Sequence, residues 1–315
     1  MKKVQIIEVT SEIGAGTRGA SLGVAALKIA SLNCASKYFT KHKSVKVTDE
    51  NQHLFNSTTY KNAKRIDSIK SNLERVSNAV CKSVADENHF SIVLSGDHSS
   101  AYGTIAGIKK AFPQKRLGVV WIDAHADLHT PYTSPSGNMH GMPLGMALAD
   151  DNIEMQVNEP SHATTKIWEE IKNIGTNTQK IQSGDVVFIG VRDTEEAENV
   201  LMKKHQLSNI TAQEVNQNGI GASVEKVLNK LSHCDILYIS FDVDSMDSCF
   251  SKGTGTPVER GLSPMQGEEI NAMLIQNEKV ICWEMVEINP TLDTENKMAI
   301  AGFKILEKVT DAVLK

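Results

Sequence analysis

Three side chains that can bind a metal ion recur at every second position from Asp123 through His125 to Asp127. They follow residues 118–122, an apolar run rich in β-branched residues, which predicts a strand buried on both faces. In extended backbone alternate side chains point the same way, so these three can reach one centre. Parallel sheets place their ligand chemistry at the carboxyl ends of strands. The spacing therefore predicts a metal site at this strand end.

Two other predicted strands end in similar residues. Residues 90–94 lead to Asp97 and His98, and residues 236–241 lead to Asp242 and Asp244. The carboxyl ends of parallel strands share one edge of a sheet, so the three segments can meet there. The predicted ligands are His98, Asp123, His125, Asp127, Asp242 and Asp244, with Asp97 turned away.

Histidine and carboxylate ligands without cysteine suit Mn²⁺ better than a structural zinc ion. Six ligands are more than one catalytic ion requires and would balance two divalent cations that share a carboxylate and a water. Such a pair lowers the pKa of the water and delivers hydroxide near neutral pH. Taken singly, each segment has another interpretation, because a strand-end aspartate also caps helices or binds Mg²⁺–phosphate. Three such segments together favour the metal centre.

Predicted strands and helices alternate along the whole chain, without repeats or an evident linker. This pattern predicts one α/β domain over residues 1–315, with three layers and a mostly parallel central sheet. Residues 43–58 look like an irregular surface connection. Residues 150–183 are polar and of unclear form, with a helix near 166–174.

The chain of 315 residues carries a net charge of −5, which argues against nucleic-acid or anionic-membrane partners. No apolar run is long enough to span a membrane. The five cysteines form no CxxC pair, which favours reduced thiols and a cytoplasmic location. Gly14, Gly16 and Gly19 match GxGxxG, but no acidic residue follows in a strand at the offset that dinucleotide binding needs. Tight turns are the favoured role for these glycines.

Several motifs in chain order resemble the ureohydrolase family, which comprises arginases, agmatinases and formimidoylglutamases. They are Ser95-Gly96-Asp97-His98, Asp123-Ala124-His125-Ala126-Asp127, Ser136-Gly137-Asn138-Met139-His140-Gly141-Met142-Pro143 and Asp242-Val243-Asp244. The third motif looks like that of the arginase branch. The resemblance implies an arginase/deacetylase-type fold with two Mn²⁺ ions per subunit and a homo-oligomer, a trimer or a hexamer. It places His98 and Asp127 on one ion and His125 and Asp244 on the other, with Asp123 and Asp242 bridging.

The resemblance further implies hydrolysis of L-arginine to L-ornithine and urea by a metal-bridging hydroxide. A guanidinium is resonance-stabilised and stays protonated, so its carbon is a poor electrophile and needs hydroxide. Glu287 is predicted to hold the guanidinium, Asp127 to transfer a proton to the leaving amine, and His140 to exchange protons with solvent at a near-neutral pKa. Glu284 lies three residues before Glu287, so it faces the opposite side of the strand.

The resemblance implies substrate contacts from Ser134, Ser136, Asn138, Asp193 and Thr256. Two positions depart from the arginase pattern: His129 stands where arginases usually carry Asn, and Glu195 where they usually carry Asp. Sites that pair buried polar groups discriminate sharply, so either change can shift specificity. An alternative function is therefore hydrolysis of another guanidino compound, such as agmatine, guanidinobutyrate or formimidoylglutamate.

Two alternative functions belong to other classes of protein. A zinc deacetylase on the same fold would need one ion and fewer ligands. A non-enzymatic relative would be expected to have lost ligands, whereas all six ligands, His140 and Glu287 are present.

Overall fold

A parallel β-sheet forms the centre of the computed structural model, which describes residues 3–315. The strands are β1 (Lys3–Val9), β2 (Ser44–Val47), β3 (His89–Ser95), β4 (Leu117–Ile122), β5 (Val186–Ile189), β6 (Ser208–Ile210), β7 (Ile236–Asp242) and β8 (Val280–Val286). Their order across the sheet is β2-β1-β3-β8-β7-β4-β5-β6, and every neighbouring pair is parallel. The predicted mostly parallel sheet is thus confirmed and is parallel throughout the described residues.

Helices cover both faces of the sheet. They are α1 (Gly23–Asn33), α2 (Tyr38–Lys41), α3 (Ile66–Val84), α4 (Ser100–Ala111), α5 (Pro143–Leu148), α6 (His162–Lys172), α7 (Glu196–Lys204), α8 (Ala212–Asn218), α9 (Ile220–Lys230), α10 (Pro264–Leu274) and α11 (Lys297–Leu314). None of these helices in residues 3–315 combines the length and apolarity that a bilayer crossing requires.

Two apolar cores, one on each face, give the predicted three layers. The helices α1, α2 and α8–α11 pack on one face, and α3–α7 pack on the other. Helix α3 shows why the helices pack on the sheet. Its apolar residues recur at three- and four-residue steps and are fully buried; they are Ile66, Ile69, Leu73, Val76 and Val80. A stripe at this spacing must face a core. The three-layer α/β prediction is confirmed.

The connections bring the chemically active strand ends to the centre of the sheet. Consecutive strands β3 and β4 are not neighbours, because β8 and β7 lie between them. The carboxyl ends of β3, β8, β7, β4 and β5 therefore form one continuous edge. Such a point of reversed strand order opens a crevice in which parallel α/β proteins bind ligands.

Five short elements were not predicted from the sequence, namely β2, β6, α2, α5 and α8. Strand β2 lies in the segment expected to be irregular, and β6 and α8 fall between predicted elements. Both strands lie at the edges of the sheet, where a few hydrogen bonds to one neighbour define them. Helix α6 begins and ends earlier than the predicted 166–174.

The polar segment after α6 is organised by a buried lysine. Lys180 is 3% exposed, and its Nζ donates to the carbonyl oxygens of Lys172, Thr176 and Thr178 at 2.7, 2.7 and 2.8 Å. The ammonium group thus satisfies the Lys172 carbonyl, which the end of α6 cannot pair, and two carbonyls of the segment that follows the helix.

Replacing Lys180 with methionine is expected to lower the free energy of unfolding by about 2–4 kcal/mol, because buried carbonyl groups lose their donor. Lys166→Met, at an exposed position of α6, is the matched control and should change stability little. Urea denaturation of both variants measures the difference. Equal midpoints for the two would contradict this role of Lys180.

Candidate active site

The first group of candidate ligands surrounds His98, just beyond β3. Its Nδ1 lies 3.0 Å from Asp127 Oδ2, 3.1 Å from Asp123 Oδ2 and 3.2 Å from Asp242 Oδ2. All four side chains are buried. Donors bound at about 2.1 Å to one ion lie about 3 Å apart, so this spacing is that of ligands sharing an ion.

The second group surrounds His125. Its Nδ1 lies 3.0 Å from Asp244 Oδ2 and 3.5 Å from Asp123 Oδ1. Asp123 belongs to both groups, one oxygen facing each histidine. The structure therefore brings all six predicted ligands together from the ends of β3, β4 and β7, in two groups that meet at Asp123.

The two ligand groups contain buried carboxylates whose negative charge needs cations to balance it. Burial raises the pKa of Asp127 to about 7, and the Asp123 carboxylate contributes to that rise. Burial and the neighbouring Asp244 raise the pKa of Asp242 well above its ordinary value. In addition, His98 Nδ1 and Asp123 Oδ2 are buried without a hydrogen-bond partner in residues 3–315. Oxygen and nitrogen donors in this state fit divalent metal ions.

His98 is held in place from two further sides. Its Nε2 lies 2.7 Å from Ser240 Oγ, which leaves Nδ1 directed at the carboxylates. Its ring stacks on the buried Trp121 indole, with centroids 4.1 Å apart and planes at 6°. Contacts of this kind orient a metal-binding imidazole. Neither contact was predicted, since Trp121 lies on β4 and Ser240 lies on β7, 142 positions away in the sequence.

Glu287 faces the pocket at the end of β8. Its Oε1 accepts a hydrogen bond from the His98 backbone N–H at 3.0 Å and lies 3.1 Å from His140 Nδ1. Its Oε2 is buried without a partner in the described chain. Burial by itself would raise the pKa of Glu287, but the contact with His140 outweighs it and lowers the pKa. Glu287 therefore offers an ionised oxygen to a cation.

His140 is more basic than the sequence predicts. Burial lowers its pKa, but the Glu287 carboxylate outweighs burial and raises the pKa to about 9. With these protein charges alone, His140 is an imidazolium at neutral pH. The expected near-neutral pKa was wrong because the ion pair with Glu287 could not be inferred from sequence.

Two candidate catalytic carboxylates lie on left-handed backbone. The φ angle is 51° at Asp127 and 66° at Glu287. For residues other than glycine this conformation costs about 1 kcal/mol or more. Backbone hydrogen bonds hold it: Glu287 N–H donates to Gly96 O at 2.7 Å, and Leu144 N–H donates to Asp127 O at 3.1 Å. Strain of this kind concentrates at functional sites.

One pocket joins these groups to the predicted substrate residues. Its walls include His98, His125, Asp127, His129, Ser134, Ser136, Asn138, His140, Asp193, Glu195, Asp242, Asp244, Thr256 and Glu287. Asp123 does not line the pocket, although it belongs to both ligand groups. Asp97 lies apart from both groups, with its carboxylate accepting from the Gly14 and Ser99 N–H groups. Glu284 faces away from the pocket and accepts from Ser95 and Tyr238.

The loop after β4 forms one wall of the pocket. Ser134 Oγ accepts from Gly137 N–H at 2.9 Å, and Ser136 Oγ accepts from Asn138 N–H at 3.1 Å. These bonds leave the hydroxyl protons free to donate into the pocket. Thr256, by contrast, donates to Asp244 Oδ2 at 3.1 Å, so it contacts a candidate ligand as well as the pocket.

The two positions that depart from the arginase pattern lie beside each other. His129 Nε2 is 3.8 Å from Glu195 Oε2 and 3.7 Å from Glu198 Oε2. Glu198 is buried, and it accepts from Leu128 N–H at 3.2 Å and from Glu195 N–H at 3.0 Å. Glu198 thus ties the loop after β4 to the amino end of α7. Sequence reasoning missed it, although the spacing Glu195-x-x-Glu198 is that of a helix N-terminal capping pair.

A third group outside the pocket consists of Asp185, His233 and Cys234. Arg116 already donates to both oxygens of Asp185, at 2.8 and 2.9 Å. Because a guanidinium balances this carboxylate, we assign no ion to the group.

Fold and site together define a metal-dependent hydrolase of the three-layer α/β class. A family model described as "Arginase family" matches residues 2–310. An arginase of Bacillus subtilis is 32% identical over 310 residues, covering 98% of this chain and 97% of that protein. The chain belongs to the arginase family.

Solved structures are similar over the same length. The arginase of Bacillus caldovelox superposes with a TM-score of 0.83 at 30% identity, covering 98% of both chains. An Entamoeba histolytica arginase in complex with L-ornithine superposes with a TM-score of 0.81 at 27% identity, covering 100% of this chain and 99% of that one. The likeness thus extends over the whole described fold.

Proposed function

We propose that this chain is an arginase that hydrolyses L-arginine to L-ornithine and urea with two Mn²⁺ ions per subunit. One observation carries the proposal. The unpaired, buried Oε2 of Glu287 faces the same pocket as the two Asp/His groups that meet at Asp123. A free carboxylate oxygen is suited to a guanidinium, and the Asp/His groups are suited to hydrolysis of the bound group.

The proposed ions would be held by His98, Asp123 and Asp127, with Asp242 nearby, and by His125, Asp123 and Asp244. Mixed imidazole and carboxylate donors favour Mn²⁺ over a structural zinc ion. When bound, such a pair lowers the pKa of water and supplies hydroxide near neutral pH.

The protein groups would bind, orient and move protons. Glu287 holds the substrate guanidinium and fixes its orientation, which removes much of the entropic cost of reaction. Asp127, which lines the pocket beside the other candidate ligands, is suited to accept a proton and pass it to the leaving amine. His140, with a side chain 20% exposed, exchanges protons with solvent.

The outer pocket would bind the amino-acid end of the substrate. Ser136 and Asn138 provide donors for the α-carboxylate, whereas Asp193 and Glu195 provide carboxylates for the α-amino group. The Entamoeba histolytica relative was solved with L-ornithine, which is the amino-acid product of the proposed reaction. That complex supports an amino-acid ligand for the pocket of this chain.

Urea release from Mn²⁺-loaded protein tests the proposal, with L-arginine, agmatine and guanidinobutyrate compared at equal concentration. We expect a preference for L-arginine, and two equivalents of metal per subunit by elemental analysis. One equivalent would contradict the two-ion centre. Absence of urea from every substrate, with two ions bound, would overturn the hydrolase assignment of this pocket.

A second candidate function is hydrolysis of another guanidino compound. It is favoured by His129 and Glu195, whose side chains are larger than the Asn and Asp usual in arginases and lie beside each other. Urea from agmatine or guanidinobutyrate alone would support it.

The assembly is a proposal from the family resemblance, and the location is a proposal from the five cysteines, which form no CxxC pair. We propose a homotrimer or hexamer in the cytoplasm. Light scattering coupled to size-exclusion chromatography tests the assembly, and a monomer would contradict it.

A further inference from the structure

The segment before α3 packs closely against the loop that carries Ser136 and Asn138. Lys64 N–H donates to Gly137 O at 2.7 Å. Gly137 has a φ angle of 69°, and a Cβ there would lie 2.1 Å from Lys61 O. Because only glycine allows this approach, the segment fixes the position of the substrate loop.

The side chain of Lys64 determines which end of the Asn138 amide is available. Lys64 Nζ donates to Asn138 Oδ1 at 3.1 Å. The amide nitrogen Nδ2 lies beside Gly16, where a Cβ would be only 2.6 Å away, and it donates no hydrogen bond within residues 3–315. An amide can present either an acceptor or two donors. Lys64, which can only donate, occupies the oxygen and leaves the two donors for a ligand.

Lys64 also carries a positive charge without a protein counter-ion. It forms no ion pair with a carboxylate in the described residues, and neither do Arg18 and Arg65. Acidic side chains of the pocket mouth instead belong to the loop after β5, where Asp193 and Glu195 are 65% and 56% exposed. The contact with Lys64 therefore places a positive charge beside Asn138, whereas the two exposed carboxylates belong to the loop after β5.

We propose that Lys64 is a positioning residue that determines specificity for a substrate with a carboxylate at the end remote from the guanidinium. It acts through Asn138, by orienting the amide donors and by adding positive charge behind them. The inference rests on the proposed function, since it names the group that the outer pocket recognises. Charge-assisted hydrogen bonds are stronger than neutral ones. Loss of the Lys64 charge should therefore weaken the binding of the substrate carboxylate.

Two substitutions separate the charge of Lys64 from its bulk. Lys64→Met keeps the length of the side chain without its charge, and Lys64→Arg keeps the charge. For Lys64→Met we expect the KM for L-arginine to rise about tenfold with kcat nearly unchanged. Lys64→Arg should restore most of the lost affinity. Lys61→Met is the matched control, because Lys61 is exposed in the same segment, and its KM should equal that of the unmodified protein.

A second measurement is the affinity for ligands that the protein binds but does not hydrolyse. Isothermal titration of the Mn²⁺-loaded protein compares L-ornithine with 1,4-diaminobutane, which lacks the carboxylate. Lys64→Met should weaken L-ornithine about tenfold and leave 1,4-diaminobutane unchanged. Thermal unfolding of each variant establishes that it is folded.

Two results would overturn the inference. One is an unchanged affinity for L-ornithine in Lys64→Met, and the other is an equal loss for both ligands, which would mark a purely structural role. A different result would contradict the proposed function itself, namely the absence of urea release when the unmodified protein is given L-arginine.

Discussion

Asp123→Asn is expected to lower activity with L-arginine at least about a thousandfold and to remove metal binding from both sites, since an ion contributes several kcal/mol to the barrier. Asp123 is the one side chain that both ligand groups contain, with Oδ2 3.1 Å from His98 Nδ1 and Oδ1 3.5 Å from His125 Nδ1. Asparagine keeps the shape, but one of its two terminal atoms becomes an amide nitrogen, which cannot bind a cation. Either orientation of the amide therefore damages one group, and the missing charge weakens the other.

The measurements are metal content per subunit and the shift in unfolding temperature on adding Mn²⁺. A ligand at 100 times its Kd stabilises the folded state by about 2.7 kcal/mol, so the unmodified protein should show a clear shift and Asp123→Asn almost none. Glu87→Gln, at an exposed position just before β3, is the control. Retention of two ions by Asp123→Asn would show that the two groups do not share this carboxylate.

Glu287→Gln is expected to lower kcat/KM for L-arginine about 100- to 1,000-fold, because a buried charge-assisted bond and the orientation of the guanidinium are both lost. The Oε2 atom is buried and unpaired, so no other protein group takes over its role. The amide of glutamine is neutral and no longer attracts a cation. Metal content should remain that of the unmodified protein, since Glu287 belongs to neither ligand group.

Glu284→Gln is the matched control, three residues earlier on the same strand. Glu284 is fully buried and accepts hydrogen bonds from Ser95 and Tyr238 at 2.5 and 2.6 Å. In the glutamine variant one hydroxyl must accept from the amide N–H instead of donating, and both charge-assisted bonds are lost, so this variant should lose stability. The two variants should therefore differ in kind: Glu287→Gln loses activity, whereas Glu284→Gln loses stability but keeps kcat/KM. Equal activity of the two would contradict the role of Glu287.

The pH dependence of stability supplies a further test of the Glu287–His140 pair in metal-free protein. The pair raises the pKa of His140 to about 9, above the ordinary value of about 6.5. Its contribution is fully present below pH 6.5 and is lost as the pH rises through about 9, because the unfolded chain releases the proton first. Glu287→Gln should flatten the decline in stability over this range. An identical decline in both proteins would mean that the pair is not formed.

The central features of the fold and site were predictable because their signals are local. Residues 118–122 form a continuous apolar run, and Asp123, His125 and Asp127 alternate immediately after it. The rule that parallel strands end at one edge then brings His98, Asp242 and Asp244 to the same place. Each of these steps needs only a short window of sequence and one general property of parallel sheets.

The edge strands β2 and β6 were not predictable in this way. Their sequences, Ser44–Val47 and Ser208–Ile210, are short and partly exposed, so they lack the apolar pattern of a buried strand. They are strands because β1 and β5 offer free hydrogen-bonding edges beside them. Propensity is weak over three or four residues, and pairing with a neighbour decides the conformation.

The side chains that hold the site in place depend on contacts between distant parts of the chain. Ser240 lies 142 positions from His98, Lys64 lies 74 positions from Asn138, and Glu198 lies 70 positions from Leu128. Residue types and spacing identified the groups able to bind metal and substrate, since that chemistry belongs to the groups themselves. Their orientation, the basicity of His140 and the free oxygen of Glu287 arise from burial and hydrogen bonding, which exist only once the tertiary structure has formed.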